Sequence, residues 1–388
     1  MKPLITTEDL FKPQGIDTMP RSNSKIYVVI AKPTRLCNAN CTYCSSPPLR
    51  EIGESSEPIW DFETFKKFFD KVFPYLGDGA TWIWHGGEPM LMGVEFYKQT
   101  YQYALEKMNQ YNKKIYFSMQ SNMLGYNSKW KEVFTHIFKG SISTSFDPDE
   151  KERKIKQSAE AYSKAFKRAL DAIIDDGFLP MVIGVYTEEN AHMMHKMYEW
   201  SLSRGEKSFP LRFNYCVPTG RQLTKGELIK PETYGKYLIE VYNRWIADAP
   251  NFTITPLNQM LSKTIGLDGM GHCPWTKSCG GRFINIEPNG EVYNCSEFAD
   301  LDNKYCFGNL HIDDMDHIMN TQPALAIRRR QTKLPISCMT CEHFAECEGG
   351  CARDSALFQR GLYGKFYYCV SWKMVFSRIK ESILLGQA

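Results

Sequence analysis

A chain of 388 residues, 43% hydrophobic and 23% charged, has a globular composition and is long enough for one large α/β domain with an appendage, or for two domains. Its net charge of +3 gives no electrostatic reason to favour a nucleic acid or an anionic membrane surface, so neither partner is expected. The opening MKPLITTEDLFKPQG holds no apolar secretion core, and no segment approaches the ~20 consecutive apolar residues of a membrane span; the expected location is cytoplasmic.

From residue 25 to 249, short apolar, β-branched or aromatic runs alternate with segments of helical spacing. The predicted strands are KIYVVIA (25–31), ATWIWHG (80–86), KIYFSMQ (114–120), SISTSF (141–146), LPMVIGVY (179–186) and LRFNYCV (211–217). Between the first two lies DFETFKKFFDKVF, with Asp61 placed to cap a helix and Phe62, Phe65, Phe69 and Phe73 recurring at helical spacing. AEAYSKAFKRALDAIIDDG stops at Gly177. Six β-then-α repeats predict a parallel sheet or open barrel, whose chemistry sits at the carboxyl ends of its strands. After a helix beginning near Pro231 the texture changes at about residue 250 to turns, glycines and cysteines, until WKMVFSRIKESILL restores a helix. The expected organisation is an N-terminal extension (1–24), a barrel (25–250), a cysteine-rich domain (251–371) and a C-terminal helix (372–388).

Thirteen cysteines in a large chain with no export signal argue for metal in a reducing compartment rather than for disulfides. Cys216 and Cys306 read as buried small hydrophobes. Cys37, Cys41 and Cys44 form a C-x3-C-x2-C run directly after the first strand. Three thiolates from one tight loop can hold three irons of a [4Fe-4S] cube and leave the fourth open. A structural zinc site needs four closed ligands, and neither a further cysteine nor a histidine lies near.

CNANCTYC, followed one strand later by HGGEP, resembles the signature of the radical S-adenosylmethionine (SAM) superfamily, with Tyr43 at its aromatic position and Gly86, Gly87, Glu88 and Pro89 as its GGEP turn. The third strand ends in Gln120, Ser121 and Asn122, similar to the polar strand ends of that family. Ser145 and Asp147 match a Ser-x-Asp pattern near the ribose and carboxylate of SAM, and Asn190 falls in a further adenosine-contact region. Arg153 is the candidate for the carboxylate-binding arginine, with Lys164 to Arg168 competing. The resemblance implies a partial (β/α)6 barrel, SAM as cofactor and a 5′-deoxyadenosyl radical as its product.

The last third reads Cys279-x10-Gly290-x4-Cys295, then Cys338-x2-Cys341-x5-Cys347-x3-Cys351, then Cys369, with Cys273 six positions ahead. This resembles the SPASM domain of peptide-modifying radical SAM enzymes, the best-matched branch being the anaerobic sulfatase-maturating enzymes. That resemblance implies one auxiliary [4Fe-4S] cluster on Cys273, Cys279, Cys295 and Cys351 and another on Cys338, Cys341, Cys347 and Cys369, three clusters in all. It also implies a peptide or protein substrate and an external one-electron reductant of flavodoxin or ferredoxin type.

The sulfatase-maturating branch places a catalytic aspartate directly after the third cysteine of its first auxiliary cluster. Here that position is Ser296, with Glu297, Asp300 and Asp302 as substitutes and Glu297 the nearest base. The favoured expectation is a maturase that crosslinks a ribosomally made precursor peptide through a C–C or thioether bond. Formylglycine generation is second, and a nonenzymatic iron-sulfur electron carrier, which needs no GGEP turn, is third. The short segment ahead of the first strand leaves leader recognition to the barrel, the cysteine-rich domain or a partner. His192 and His195 read as surface or core residues, and RRRQ (328–331) as a solvated charge run.

Overall fold

In the computed structural model, which describes residues 25–221, 228–267, 273–276, 278–358 and 361–387, the alternating runs become a parallel sheet. The proposed N-terminal extension lies outside the described residues. Strands β1 (Ile26–Ala31), β2 (Leu76–Trp84), β3 (Ile115–Gln120), β4 (Ile142–Ser145), β5 (Met181–Tyr186) and β6 (Leu211–Tyr215) lie in chain order, each parallel to the next, with the short β7 (Ile254–Thr255) at one edge. These are the six runs legible in the sequence, their ends shifted by a few residues.

Parallel strands need long crossovers. Helices α1 (Phe62–Val72), α2 (Gly93–Gln110), α3 (Lys129–His136), α4 (Ala159–Asp175), α5 (Met194–Leu202) and α6 (Pro231–Asp248) supply them. Helix α1 shows how sequence sets each one. The Asp61 carboxylate accepts the Thr64 N–H at 2.7 Å and caps the first turn, while Phe65, Phe68 and Phe69 are fully buried. Phe65 and Phe69 meet Trp82 of β2 at ring-centroid distances of 5.9 and 5.3 Å. Each such ring contributes roughly 2 kcal/mol by burial. Helix α4 ends just ahead of Gly177, as its sequence implies.

Beyond residue 250 the chain returns to the sheet. Strand β8 (Phe283–Ile286) pairs in parallel with β1 on the edge opposite β7, and β9 (Glu291–Tyr293) and β10 (Gly308–Asn309) follow as an antiparallel meander. The cysteine-rich third is thereby joined to β1, the strand that feeds the first cysteine loop. The chain closes with the helix Cys369–Leu384, which packs against α6.

One sequence expectation is overturned. RRRQ is no solvated run: Arg328 and Arg330 are 8% and 4% exposed. The helix Gln322–Arg329 turns them inward, where main-chain carbonyls accept their guanidinium protons, Met319 for Arg328 and Gly349, at 2.7 Å, for Arg330. Among the described residues no helix is long and apolar enough to cross a membrane.

Candidate active site

The cysteine loop leaves the carboxyl end of β1, and the HGGEP turn leaves that of β2 beside it. Their contact depends on the two glycines. A Cβ at Gly86, whose φ is +118°, would stand 2.2 Å from the Thr34 carbonyl oxygen, and one at Gly87 would stand 2.2 Å from that of Leu36. Side chains are excluded at both, so the Gly87 and Glu88 amides reach the Thr34 and Leu36 carbonyls at 3.0 and 2.8 Å. The two glycines thus let the turn approach the chain's own cysteine loop.

Glu88 is fully buried and ties β2 to β3. Its carboxylate accepts from Ser121 Oγ (2.7 Å), the Asn122 amide (2.7 Å) and the Met90 amide (2.8 Å). Burial pushes its pKa up to about 7 against these three bonds. Pro89 follows, buried, its carbonyl accepting from Tyr97 Oη at 2.6 Å. Asn122 then turns its side chain to the loop, with Nδ2 2.6 Å from Asn38 Oδ1 and 3.7 Å from Cys37 Sγ. The Ala39 amide also points at Cys37 Sγ, at 3.4 Å.

The fourth strand grips the loop from the other side. Tyr43 Oη donates to Asp147, which also accepts from Arg153 Nε at 2.9 Å and from the Val185 amide at 2.9 Å. The Arg153 guanidinium lies 5.3 Å from the centre of the Tyr43 ring. Beside it the Asn40 and Thr42 amides donate to the carbonyls of Lys154 and Glu152. Lys164 and Arg168 are exposed and Lys167 pairs with Glu150, so of the competing cations Arg153 alone faces the loop. Gln120 is bonded to Ser145 Oγ at 3.0 Å, and Asn190 to Asp149 at 2.8 Å.

Beneath the loop lies a buried ion cluster that sequence reasoning missed. Lys32 Nζ is 2.8 Å from Glu287 and 2.8 Å from Ser46 Oγ. Arg35 reaches Glu287 at 2.7 Å and Asp300 at 3.0 Å, and Ser46 donates to Asp300 at 2.9 Å. Burial raises the Asp300 pKa, whereas at Glu287 Lys32 and Arg35 outweigh burial and hold it at about 2. Asp300 is thereby committed to structure. Asp302 caps the short helix Asn303–Tyr305, which removes both as candidate bases.

The eight C-terminal thiols are gathered into two neighbourhoods. Cys273 and Cys351 line a common cavity, and Cys279 and Cys295 lie near enough to Cys351 for their thiols to raise one another's pKa. Asn294 points its amide at Cys279 Sγ, 3.7 Å away. Cys338, Cys341, Cys347 and Cys369 line one small cavity with Phe344 and Phe366. Burial pushes Cys37, Cys273, Cys279 and Cys347 up to about 12. Unliganded, these thiols stay protonated at neutral pH; a bound cation reverses that preference, which is the chemistry expected of ligand sets. Among the described residues no three His, Cys, Asp or Glu side chains close on a point as around a single ion.

Between the first loop and the first thiol set opens a cavity of about 240 Å3, lined by Tyr43, Arg212, Cys216, Cys273, Glu297 and Arg353 among others. Glu297 stands in this wall with Arg353 Nη2 3.3 Å away, while Ser296, at the start of the short helix Ser296–Ala299, is buried and not part of the wall. Cys216 is buried as expected, but at the cavity wall. Cys306, expected to be buried, is only half-buried: it packs against the core and donates to the Gly308 carbonyl. His195 bonds Glu240 at the surface, 2.8 Å away.

A parallel sheet with a three-cysteine loop after its first strand, a GGEP turn after its second and a cysteine-rich region joined to its edge is the arrangement expected of a radical SAM protein of the SPASM type. Residues 273–342 match the SPASM family, an iron-sulfur cluster-binding domain. The chain is homologous to the anaerobic sulfatase-maturating enzymes: it is 27% identical over 350 residues to the cysteine-type enzyme of Clostridium perfringens, covering 88% of this chain and 92% of that one. Its fold is that of native anSMEcpe solved with AdoMet and a peptide, with a TM-score of 0.77, 23% identity and coverage of 93% and 98%. It is also similar in fold to Streptococcus suis SuiB bound to its precursor peptide SuiA, with a TM-score of 0.62, 13% identity and coverage of 90% and 76%.

Proposed function

We propose that this chain oxidatively modifies a side chain of a precursor peptide or protein, with a C–C or thioether crosslink as the product. Cys37, Cys41 and Cys44 would hold a [4Fe-4S] cluster with one iron open to SAM, and the two C-terminal thiol sets would hold auxiliary clusters. When bound, these groups supply hydrogen-atom abstraction from a C–H bond and an acceptor for one electron. The residues of the chain do the rest. The HGGEP turn and Asn122 fix the loop, the carbonyls of Gly86 and Gly87 are offered to the SAM ammonium, and Asp147 and Arg153 orient Tyr43 and the far side of the site. An external reductant of flavodoxin or ferredoxin type would deliver the initiating electron.

The observation that carries this reading is Glu297 in the wall of the cavity between the two cysteine regions. Loss of a hydrogen atom, a proton and an electron is a two-electron oxidation, and the proton needs a base beside the substrate. Glu297, oriented by Arg353, is that base. The serine at 296 separates this site from formylglycine generation and favours crosslinking. The second reading, sulfatase-type maturation, is supported by homology to the sulfatase-maturating enzymes and by the same Glu297, one residue displaced.

Anaerobic reconstitution tests the cofactor assignment. The protein should take up three [4Fe-4S] clusters, and replacing Cys37, Cys41 and Cys44 together by Ala should remove about a third of the iron and abolish SAM cleavage. Bound zinc, or no iron lost in the triple variant, contradicts it.

A further inference from the structure

Arg330 belongs to a segment that reads as surface charge and is instead 4% exposed. Its Nη2 donates to the Gly349 carbonyl at 2.7 Å and to Ser355 Oγ at 3.2 Å; its Nη1 donates to the Gly364 carbonyl at 3.1 Å and to that of Leu362. Gly349 lies midway between Cys347 and Cys351, the one short stretch that contributes a thiol to each of the two sets. Ser355 Oγ in turn lies 3.1 Å from the Cys351 carbonyl. The guanidinium therefore clamps the junction between the two thiol neighbourhoods.

Among the described residues no carboxylate forms an ion pair with Arg330. The thiols on which it acts are Cys279 and Cys351 of the first set and Cys338 and Cys347 of the second. Asp354, the acid that feels it at longer range, is committed to Arg353 at 2.8 Å and to Tyr215. Its Nε is buried without a partner. A lone buried guanidinium is costly, and neutral carbonyls offset only part of that cost. A cluster held by four thiolates carries net negative charge whether oxidised or reduced, and becomes more negative as it gains an electron.

Building on the auxiliary-cluster reading above, we propose that Arg330 is a positioning cation shared by both auxiliary sites, which holds their common segment and raises the reduction potential of both clusters. A cation favours the more negative, reduced state, so both clusters become better electron acceptors, and neither is favoured so strongly that an electron is trapped on it.

The test compares Arg330→Lys and Arg330→Gln with wild type in the full, anaerobically reconstituted protein, by iron and sulfide content and by redox titration followed by electron paramagnetic resonance. Arg330→Lys should hold both clusters at potentials near wild type. Arg330→Gln should hold them with both auxiliary potentials lowered. Unchanged potentials in a fully loaded Arg330→Gln protein would overturn the proposal, and so would a shift confined to one cluster. If Arg330→Gln fails to load, Arg330→Lys decides: loading at wild-type potentials supports a requirement for charge, and failure to load reduces Arg330 to packing. A wild-type protein that takes up only one cluster would instead remove the auxiliary-cluster reading itself.

Discussion

Arg35 Nη2 stands 3.0 Å from the Asp300 carboxylate, with both side chains buried. Arg35 begins the first cysteine loop, and Asp300 ends the short helix whose N-terminal cap is Cys295. The ion pair therefore sets the loop against a cysteine of the first C-terminal set, with Lys32 and Glu287 completing it. Removing one partner of such a buried pair strands the other. Asp300→Asn or Arg35→Met should each cost about 3–5 kcal/mol, and the double variant less than their sum. Thermal midpoints of the anaerobically loaded proteins check this; losses below ~1 kcal/mol would make the cluster dispensable.

Gly87→Ala should be worse than its chemistry suggests. The added methyl meets the carbonyl oxygens of Leu36 and Arg35 at 2.2 and 2.3 Å, and neither is a flexible side chain. The turn or the loop must move, at about 2 kcal/mol or more, with at least a tenfold loss of SAM affinity by equilibrium binding. Gly93→Ala is the control. Its φ is +78° with ψ 161°, but nothing lies within 4 Å, so only backbone strain of about 1–3 kcal/mol is expected and SAM affinity should hold.

Glu88 gives a pH dependence of definite sign. Its carboxyl titrates at about 7 in the folded chain against an ordinary 4.5, so the folded state binds the proton more tightly. Its contribution is fully present below about pH 4.5 and is lost as pH rises through about 7. Glu88→Gln should remove that slope. Anaerobic thermal midpoints from pH 5 to 8 should fall more steeply for wild type than for the variant; parallel curves would mean that Glu88 is not so perturbed.

The site was legible where its signals are local. Cysteine spacing, the aromatic Tyr43, the HGGEP turn and the six apolar runs each lie within a few residues, and the structure brings them to the same strand ends. The ion cluster was not legible, because Arg35 and Glu287 are partners 252 residues apart and charged residues usually read as surface. A signal did exist: Lys32 and Glu287 each follow directly on an apolar strand, IYVVIA and FINI. Arg330 was misread for the same reason, since a run of three arginines carries no sign that carbonyls await two of them. Nor does periodicity reveal that β8 returns to pair with β1.

Glu297→Gln tests the assigned base. Peptide modification should fall roughly 100-fold or more, while SAM is still cleaved. A variant that modifies peptide at the wild-type rate would move the base elsewhere in the cavity. Arg353→Lys, which keeps the charge but not the fork, should give an intermediate loss.

The most direct measurement is mass spectrometry of a precursor peptide encoded beside this chain, incubated with the loaded protein, SAM and a one-electron reductant. The product should be lighter by two hydrogens and carry a link that survives reduction and alkylation. Conversion of the cysteine or serine of a sulfatase-type peptide to an aldehyde, lost in Glu297→Gln, would contradict the crosslinking reading and establish sulfatase-type maturation in its place.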